Sequence, residues 1–195
     1  YVTFGSFNNF AKVTDETLLL WRGILESVRD SKLVIKGKIA SIDAGTNFAK
    51  KRFSMLSYDL ARVEFRPYSP DYLEQYRDID IALDTAPYNG GLTTCEALYM
   101  GVPVISLRGR THGSRFGASI LTNAGVRELV AENDINYVRR AVQLAETPKL
   151  LEAYHMGLRA NMKRSPLMNI EGYMEELETA YQEIWENFCK SNSTV

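Results

Sequence analysis

The feature that most constrains the fold is an alternation of short apolar runs with helical patterns over about the first 130 residues. The runs at 33–35 and 79–83 are almost continuously apolar, which is typical of parallel strands covered on both faces. Between such runs, Leu18, Trp21 and Leu25 recur at the spacing of one helix face. This alternation predicts an α/β fold with a doubly wound, mostly parallel, Rossmann-like sheet.

The last part of the chain is helical in pattern throughout. We expect helices over about residues 134–190 to pack on the flank of the sheet, in a single domain spanning 1–195. The final helix has the strongest periodicity, and its apolar face carries Tyr173, Leu177, Tyr181, Ile184 and Phe188.

Composition excludes several classes of partner. A net charge of −1 gives no reason to expect nucleic-acid binding or adsorption to an anionic membrane. Two widely spaced cysteines form neither a disulfide framework nor a metal cluster, and they favour a reducing, cytoplasmic location. The chain starts without Met and enters strand-like sequence at once, so we expect a piece of a longer protein.

The motif NGGLTT, at residues 89–94, lies between a predicted buried strand and a predicted helix. In open parallel sheets, ligands bind beyond the carboxyl ends of the strands, and helix N-termini attract phosphate. Gly90 and Gly91 would let a ligand approach the backbone, while Thr93 and Thr94 would add hydroxyl donors. The spacing is therefore consistent with a diphosphate cradle.

The same residues have a purely structural alternative. Thr93 to Glu96 fits a helix capping box, and the glycines fit a turn. The motif is neither a Walker loop nor the dinucleotide fingerprint GxGxxG, which argues against an ordinary Rossmann oxidoreductase.

Three stretches together resemble one known family. Residues 83–131, LDTAPYNGGLTTCEALYMGVPVISLRGRTHGSRFGASILTNAGVRELVA, resemble the carboxyl-terminal catalytic half of the O-linked N-acetylglucosamine transferases, especially their SPINDLY-like and bacterial members. The opening FGSFNNFAKVTDETLLLW and the closing SPLMNIEGYMEELETAYQEIW resemble that family too, in the same order. The resemblance covers nearly the whole chain.

The resemblance implies a GT-B arrangement of two Rossmann-like lobes, of which this chain would be the second, donor-binding lobe. It implies inverting transfer of N-acetylglucosamine from UDP-GlcNAc to Ser or Thr of proteins, with no metal or other cofactor. The acceptor site and any general base would belong to a first lobe, commonly preceded by tetratricopeptide repeats, so this chain alone would bind nucleotide but turn over little. The alternatives are GDP-fucose or another donor, or a nucleotide-sensing domain without catalysis.

The resemblance also assigns candidate residues at the donor diphosphate. Lys12 aligns with the family's essential lysine, although by itself it reads as a surface lysine before a helix. Thr93 and Thr94, with the backbone of Gly91 and Leu92, would hold the diphosphate; Leu92 stands where the family usually has threonine. Glu96 would accept the ribose hydroxyls.

Three further candidates each have a structural alternative. Asn9 stands where the family often has glutamine, and it fits an Asn-rich turn equally well. Tyr72, at the family's base-stacking histidine, could stack on the base or simply pack; it follows Ser69, which we expect to cap a short helix over 69–78. Arg115, beside His112, could pair with phosphate or serve a structural ion pair.

Overall fold

The computed structural model describes residues 1–192. Within them lies one six-stranded sheet of order β3-β2-β1-β4-β5-β6, in which every neighbouring pair is parallel. The strands are β1 (Val2–Ser6), β2 (Ser31–Lys36), β3 (Val63–Arg66), β4 (Ile81–Leu83), β5 (Val104–Leu107) and β6 (Val130–Ala131). This topology confirms the predicted doubly wound α/β fold.

Helices connect the strands and cover both faces of the sheet. They are α1 (Asp15–Ser27), α2 (Asp43–Met55), α3 (Leu92–Tyr99), α4 (Phe116–Asn123), α5 (Asp134–Ala145), α6 (Pro148–Arg164) and α7 (Ile170–Asn192). The start of α1 shows how the sequence sets a boundary, because the Thr14 hydroxyl accepts a hydrogen bond from the Thr17 amide at 3.2 Å. No helix within residues 1–192 is long and apolar enough to cross a membrane.

The order of strands reverses between β1 and β4, and this reversal positions the site. Phe4 pairs with Ile81 and Gly5 with Ala82 at the junction. A Cβ at Gly5 would lie 2.7 Å from the Ile79 side chain, so any other residue there would force that side chain to move. On either side of this junction the chain leaves the sheet in opposite directions, which opens a crevice at the carboxyl ends of β1 and β4.

A buried chain of hydrogen bonds fastens two helices to this junction. The Trp21 indole on α1 donates to the Tyr137 hydroxyl on α5 at 3.0 Å. That hydroxyl donates in turn to the backbone carbonyl of Asp84, directly after β4, at 2.8 Å. All three residues are buried, so these polar groups satisfy one another in the core.

The C-terminal helices differ from the expectation that all of 134–190 packs on the flank. Helices α5 and α6 do pack against the rest of the fold, burying Tyr137, Leu144 and Leu158 among others. Helix α7 instead leaves Tyr181 and Ile184 exposed. The periodicity predicts an apolar face on α7, but it carries no information about which surface covers that face.

Candidate functional site

Lys12 lies in the crevice, on a short 3-10 segment (Phe10–Lys12) that follows β1. Its ammonium group donates to the Asn89 carbonyl oxygen at 3.0 Å and sits 4.3 Å from the centre of the Tyr88 ring. Burial lowers the pKa of Lys12, and the negative charge of Asp84 opposes that shift. The fold thus brings the predicted lysine to the NGGLTT motif.

Asn9 has a local role in placing this lysine. Its side-chain oxygen accepts a hydrogen bond from the Ala11 amide at 3.1 Å and caps the 3-10 segment. The structure therefore places Asn9 in the turn that the sequence offered as the alternative to a phosphate contact.

The motif runs from a turn over residues 88–91, hereafter the α3 turn, into the first residues of α3. The helix begins at Leu92, with Gly91 at the N-cap position and no side-chain cap. Because the first amides of a helix lack intrahelical acceptors, those of Gly91, Leu92 and Thr93 are placed to bind an anion. The Leu92 side chain itself is exposed.

The capping-box alternative for the motif is wrong. Thr93 lies inside α3 rather than before it, and its hydroxyl donates to the side-chain oxygen of Asn8. Glu96 is bonded to a different residue, Tyr72. Thr94 also lies inside α3 and is buried, whereas we expected its hydroxyl to be available to a ligand.

The two glycines of the α3 turn have different roles. The Gly90 amide donates to an Asp84 carboxylate oxygen at 2.6 Å, so it is not available to a ligand. A Cβ on Gly90 would lie 2.6 to 2.8 Å from oxygens of Thr94, Thr93 and Asn8. A Cβ on Gly91 would meet no heavy atom within 4 Å. Only Gly91 presents the open backbone that the sequence predicts for both.

Asp84 is a central residue that the sequence reasoning did not single out. Its carboxylate accepts hydrogen bonds from the Asn8 amide at 3.1 Å, the Thr85 amide at 2.8 Å and the Ser106 hydroxyl at 2.6 Å, besides that of Gly90. Burial raises the pKa of Asp84 to about 6, against the opposing effect of these bonds. The one feature of the sequence that could have identified Asp84 is its position as an acid directly after a buried strand.

Tyr72 and Glu96 meet at one side of the crevice. The Tyr72 hydroxyl donates to a Glu96 carboxylate oxygen at 2.5 Å, and this bond raises the pKa of Tyr72. The Tyr72 ring stacks with that of Tyr68, at a centroid distance of 6.3 Å. The predicted base-stacking and ribose-binding residues are therefore direct neighbours.

The segment before Tyr72 is held by a buried lysine that the sequence analysis missed. Lys36, 3% exposed, donates to the Pro67 carbonyl at 2.7 Å and to the Ser69 hydroxyl at 2.9 Å. Gln75 also donates to that hydroxyl, at 2.7 Å. Ser69 is therefore not a helix cap, and residues 74–78 form a 3-10 segment in place of the predicted helix.

Arg115 lies apart from these groups. Its guanidinium donates to the Arg110 carbonyl of its own loop at 2.8 Å and is exposed. The neighbouring His112 ring packs edge-on against Phe116, at a centroid distance of 4.9 Å. These contacts favour the structural role that the sequence left open. Within residues 1–192, no group of three or more His, Cys, Asp or Glu could hold a metal ion.

Known proteins are similar to this chain in sequence over almost its whole length. The chain is 40% identical over 193 residues to the probable UDP-N-acetylglucosamine–peptide N-acetylglucosaminyltransferase SPINDLY of Arabidopsis thaliana, covering 97% of this chain and 21% of that protein. It is 26% identical over 189 residues to the UDP-N-acetylglucosamine–peptide N-acetylglucosaminyltransferase of Caenorhabditis elegans, covering 96% of this chain and 16% of the relative.

Solved structures resemble the chain in the same way. A mutant O-GlcNAc transferase of Thermobaculum terrenum superposes with a TM-score of 0.92 at 30% identity, covering 98% of this chain and 37% of that one. Anabaena HepE in complex with UDP-glucose gives a TM-score of 0.66 at 14% identity, over 91% of this chain and 48% of that one, which is a likeness of fold alone.

This chain spans about a fifth of the length of the SPINDLY proteins that it matches. The profile of one family nevertheless covers residues 1–177. The chain that forms this crevice, with its lysine and open helix N-terminus, therefore belongs to glycosyl transferase family 41.

Proposed function

We propose that this chain is the donor-binding lobe of an inverting protein O-glycosyltransferase, which transfers N-acetylglucosamine from UDP-GlcNAc to Ser or Thr hydroxyls. One observation carries the proposal: the Lys12 ammonium is bonded to Asn89, at the entrance to the open amides of α3. A cation and a helix N-terminus that converge on one point form a site for a diphosphate.

The remaining contacts divide the donor among the residues of the crevice. The amides of Gly91, Leu92 and Thr93 would bind the phosphate oxygens, with Lys12 opposite them. Glu96 would accept the ribose hydroxyls, since one of its oxygens remains after the bond to Tyr72. The stacked rings of Tyr68 and Tyr72 would lie against the base.

This arrangement suits a displacement in which a nucleoside diphosphate departs. The acceptor oxygen forms a bond to the anomeric carbon while the bond from that carbon to the diphosphate oxygen breaks, with inversion. The leaving oxygen gains negative charge, which Lys12 and the α3 amides stabilise because they are already oriented. The proton of the acceptor hydroxyl passes to a base that we assign to the first lobe of the longer protein.

The acceptor and the cellular setting complete the proposal. Protein acceptors would be held by the first lobe and by tetratricopeptide repeats, which lie outside this chain. We further propose a cytoplasmic location, because the two cysteines give no disulfide framework.

A different donor is the second candidate, and the base site motivates it. Two tyrosine rings offer a stacking surface that any base can use. The ammonium of the buried Lys36 donates to Pro67 and Ser69, so its hydrogen bonds go to the protein and not to a base. GDP-fucose or another nucleotide sugar would then replace UDP-GlcNAc on the same diphosphate site.

Calorimetry on the chain with UDP, GDP and their sugar esters tests both candidates. Tighter binding of UDP and UDP-GlcNAc supports the first, and tighter binding of GDP and GDP-fucose supports the second. Binding of none of these ligands would refute a donor-binding lobe. Rapid sugar transfer by this chain alone would contradict the assignment of the base to another lobe.

A further inference from the structure

We propose that Asp84 is a positioning residue that holds the α3 turn in the conformation that binds the diphosphate. The inference rests on the proposed function, because it concerns how the same site is kept in shape. Asp84 lies under the turn and is 2% exposed, so it acts through its neighbours and does not touch the donor.

The hydrogen bonds of Asp84 join the α3 turn to the two strands beside it. One carboxylate oxygen accepts from the Gly90 amide in the turn and from the Asn8 side chain after β1. Asn8 accepts in turn from the Thr93 hydroxyl at the start of α3. The other oxygen accepts from Ser106 on β5. One anion therefore sets the relative positions of β1, the α3 turn and β5.

The chemistry of these bonds favours a carboxylate. All four donors, from Asn8, Thr85, Gly90 and Ser106, point at Asp84, and an ionised carboxylate is acceptor-only. An amide or a protonated carboxyl replaces acceptor capacity with a donor, and among the four partners only the Ser106 hydroxyl can turn to accept from it. Hydrogen bonds to a charged acceptor are also about twice as strong as neutral ones.

The charge of Asp84 would by itself repel a diphosphate, so its presence under the turn needs a reason other than attraction. Holding the amides of α3 outward, toward the ligand, supplies that reason. The titratable groups that face Asp84 are Lys12, on the segment after β1, and Tyr137, on α5. The hydrogen-bond partners of the Asp84 carboxylate are the neutral side chains of Asn8 and Ser106 and two backbone amides.

The test is donor affinity as a function of pH for the wild-type chain and Asp84→Asn. The probes are UDP-GlcNAc and GDP-fucose, because their diphosphates are esterified at both ends and do not titrate near neutral pH. In the wild type we expect affinity to fall as the pH drops through about 6, where the raised pKa of Asp84 lies. Asp84→Asn should bind about 10-fold more weakly at neutral pH, with that pH dependence lost.

The matched control is Asp80→Asn, the same change at the opposite end of the same strand. Asp80 accepts from the Thr3 amide at 2.7 Å, away from the crevice. Asp80→Asn should leave both the donor affinity and its pH dependence as in the wild type.

A second variant covers a folding failure of Asp84→Asn. Ser106→Ala removes one donor to the carboxylate and should weaken binding about 3-fold. Unchanged affinity in Asp84→Asn, or in Ser106→Ala where the first variant does not fold, overturns the inference while the proposed function stands. Failure of the wild-type chain to bind either probe overturns the proposed function, and the inference with it.

Discussion

The ammonium of Lys12 and the carbonyl oxygen of Asn89 are 3.0 Å apart, although 77 positions separate the two residues in the chain. One follows β1 and the other follows β4, and these strands are neighbours only because the strand order reverses between them. The contact holds the cation at the entrance of the α3 turn through the protein's own backbone. Such preorganisation lowers the cost of binding a polyanion.

Replacement of Lys12 by alanine should weaken binding of UDP about 10-fold and lower sugar transfer by the longer protein at least 100-fold, because charge accumulates on the leaving diphosphate. Lys12→Arg should restore part of the binding. Lys50→Ala, on the exposed face of α2, is the control with the same charge change. Calorimetry and a transfer assay check both effects; wild-type transfer by Lys12→Ala would contradict the role of this residue.

The two glycines of the α3 turn should separate stability from binding. Gly90→Ala places a Cβ within 2.8 Å of three oxygens, so we expect the free energy of unfolding to fall by roughly 1–3 kcal/mol. Gly91→Ala meets no protein atom within 4 Å and should fold normally, but its methyl group would face the ligand and weaken nucleotide binding. Urea unfolding and calorimetry on both variants provide the check, and the reverse pattern would refute the site.

The sheet could be predicted from sequence because its signal is local. Continuous apolar runs such as 33–35 mark strands covered on both faces, and Thr14 marks the start of α1 by its own side chain. The NGGLTT motif likewise indicated a helix N-terminus at the ligand-binding edge. The resemblance to a known family, and not the residue pattern, assigned Lys12 to this site.

What the sequence could not give depends on contacts between distant residues. Asp84 appears as an ordinary strand-ending acid until two other strands, β1 and β5, bring Asn8 and Ser106 to it. Thr93 and Glu96 have capping-box spacing, but tertiary partners, Asn8 and Tyr72, take both side chains. Local spacing competes with such partners, and only the folded chain shows which of them prevails.

Glu96 should report on the ribose. Glu96→Gln removes the carboxylate that would accept the sugar hydroxyls, so binding of UDP should weaken about 10-fold. The same substitution should change the affinity for 2′-deoxy-UDP far less, because one of those hydroxyls is then absent. Tyr72→Phe is the control for the shared bond of 2.5 Å, since it keeps the ring and loses only the hydroxyl. Equal losses for both nucleotides in Glu96→Gln would contradict ribose contact.

Asp84 should also leave a signature in stability. Its folded-state pKa of about 6 lies above the ordinary value for aspartate, so the folded protein takes up a proton before the unfolded chain does. The wild type should therefore lose stability, relative to Asp84→Asn, as the pH rises from about 4 to about 6, by roughly 1.4 kcal/mol per pH unit. Urea unfolding across this range measures the difference, and parallel curves for the two proteins would disprove the shift.

Truncation of the two tryptophans should change the free energy of unfolding by very different amounts. Trp21 is fully buried and its indole donates to Tyr137, so Trp21→Ala creates a cavity and should cost roughly 3–5 kcal/mol of unfolding free energy. Trp185 on α7 is 65% exposed, so Trp185→Ala should change the free energy of unfolding by less than about 0.5 kcal/mol. Thermal unfolding followed by circular dichroism makes the comparison. A large loss in Trp185→Ala would mean that α7 packs on this domain in solution, as its apolar periodicity first suggested.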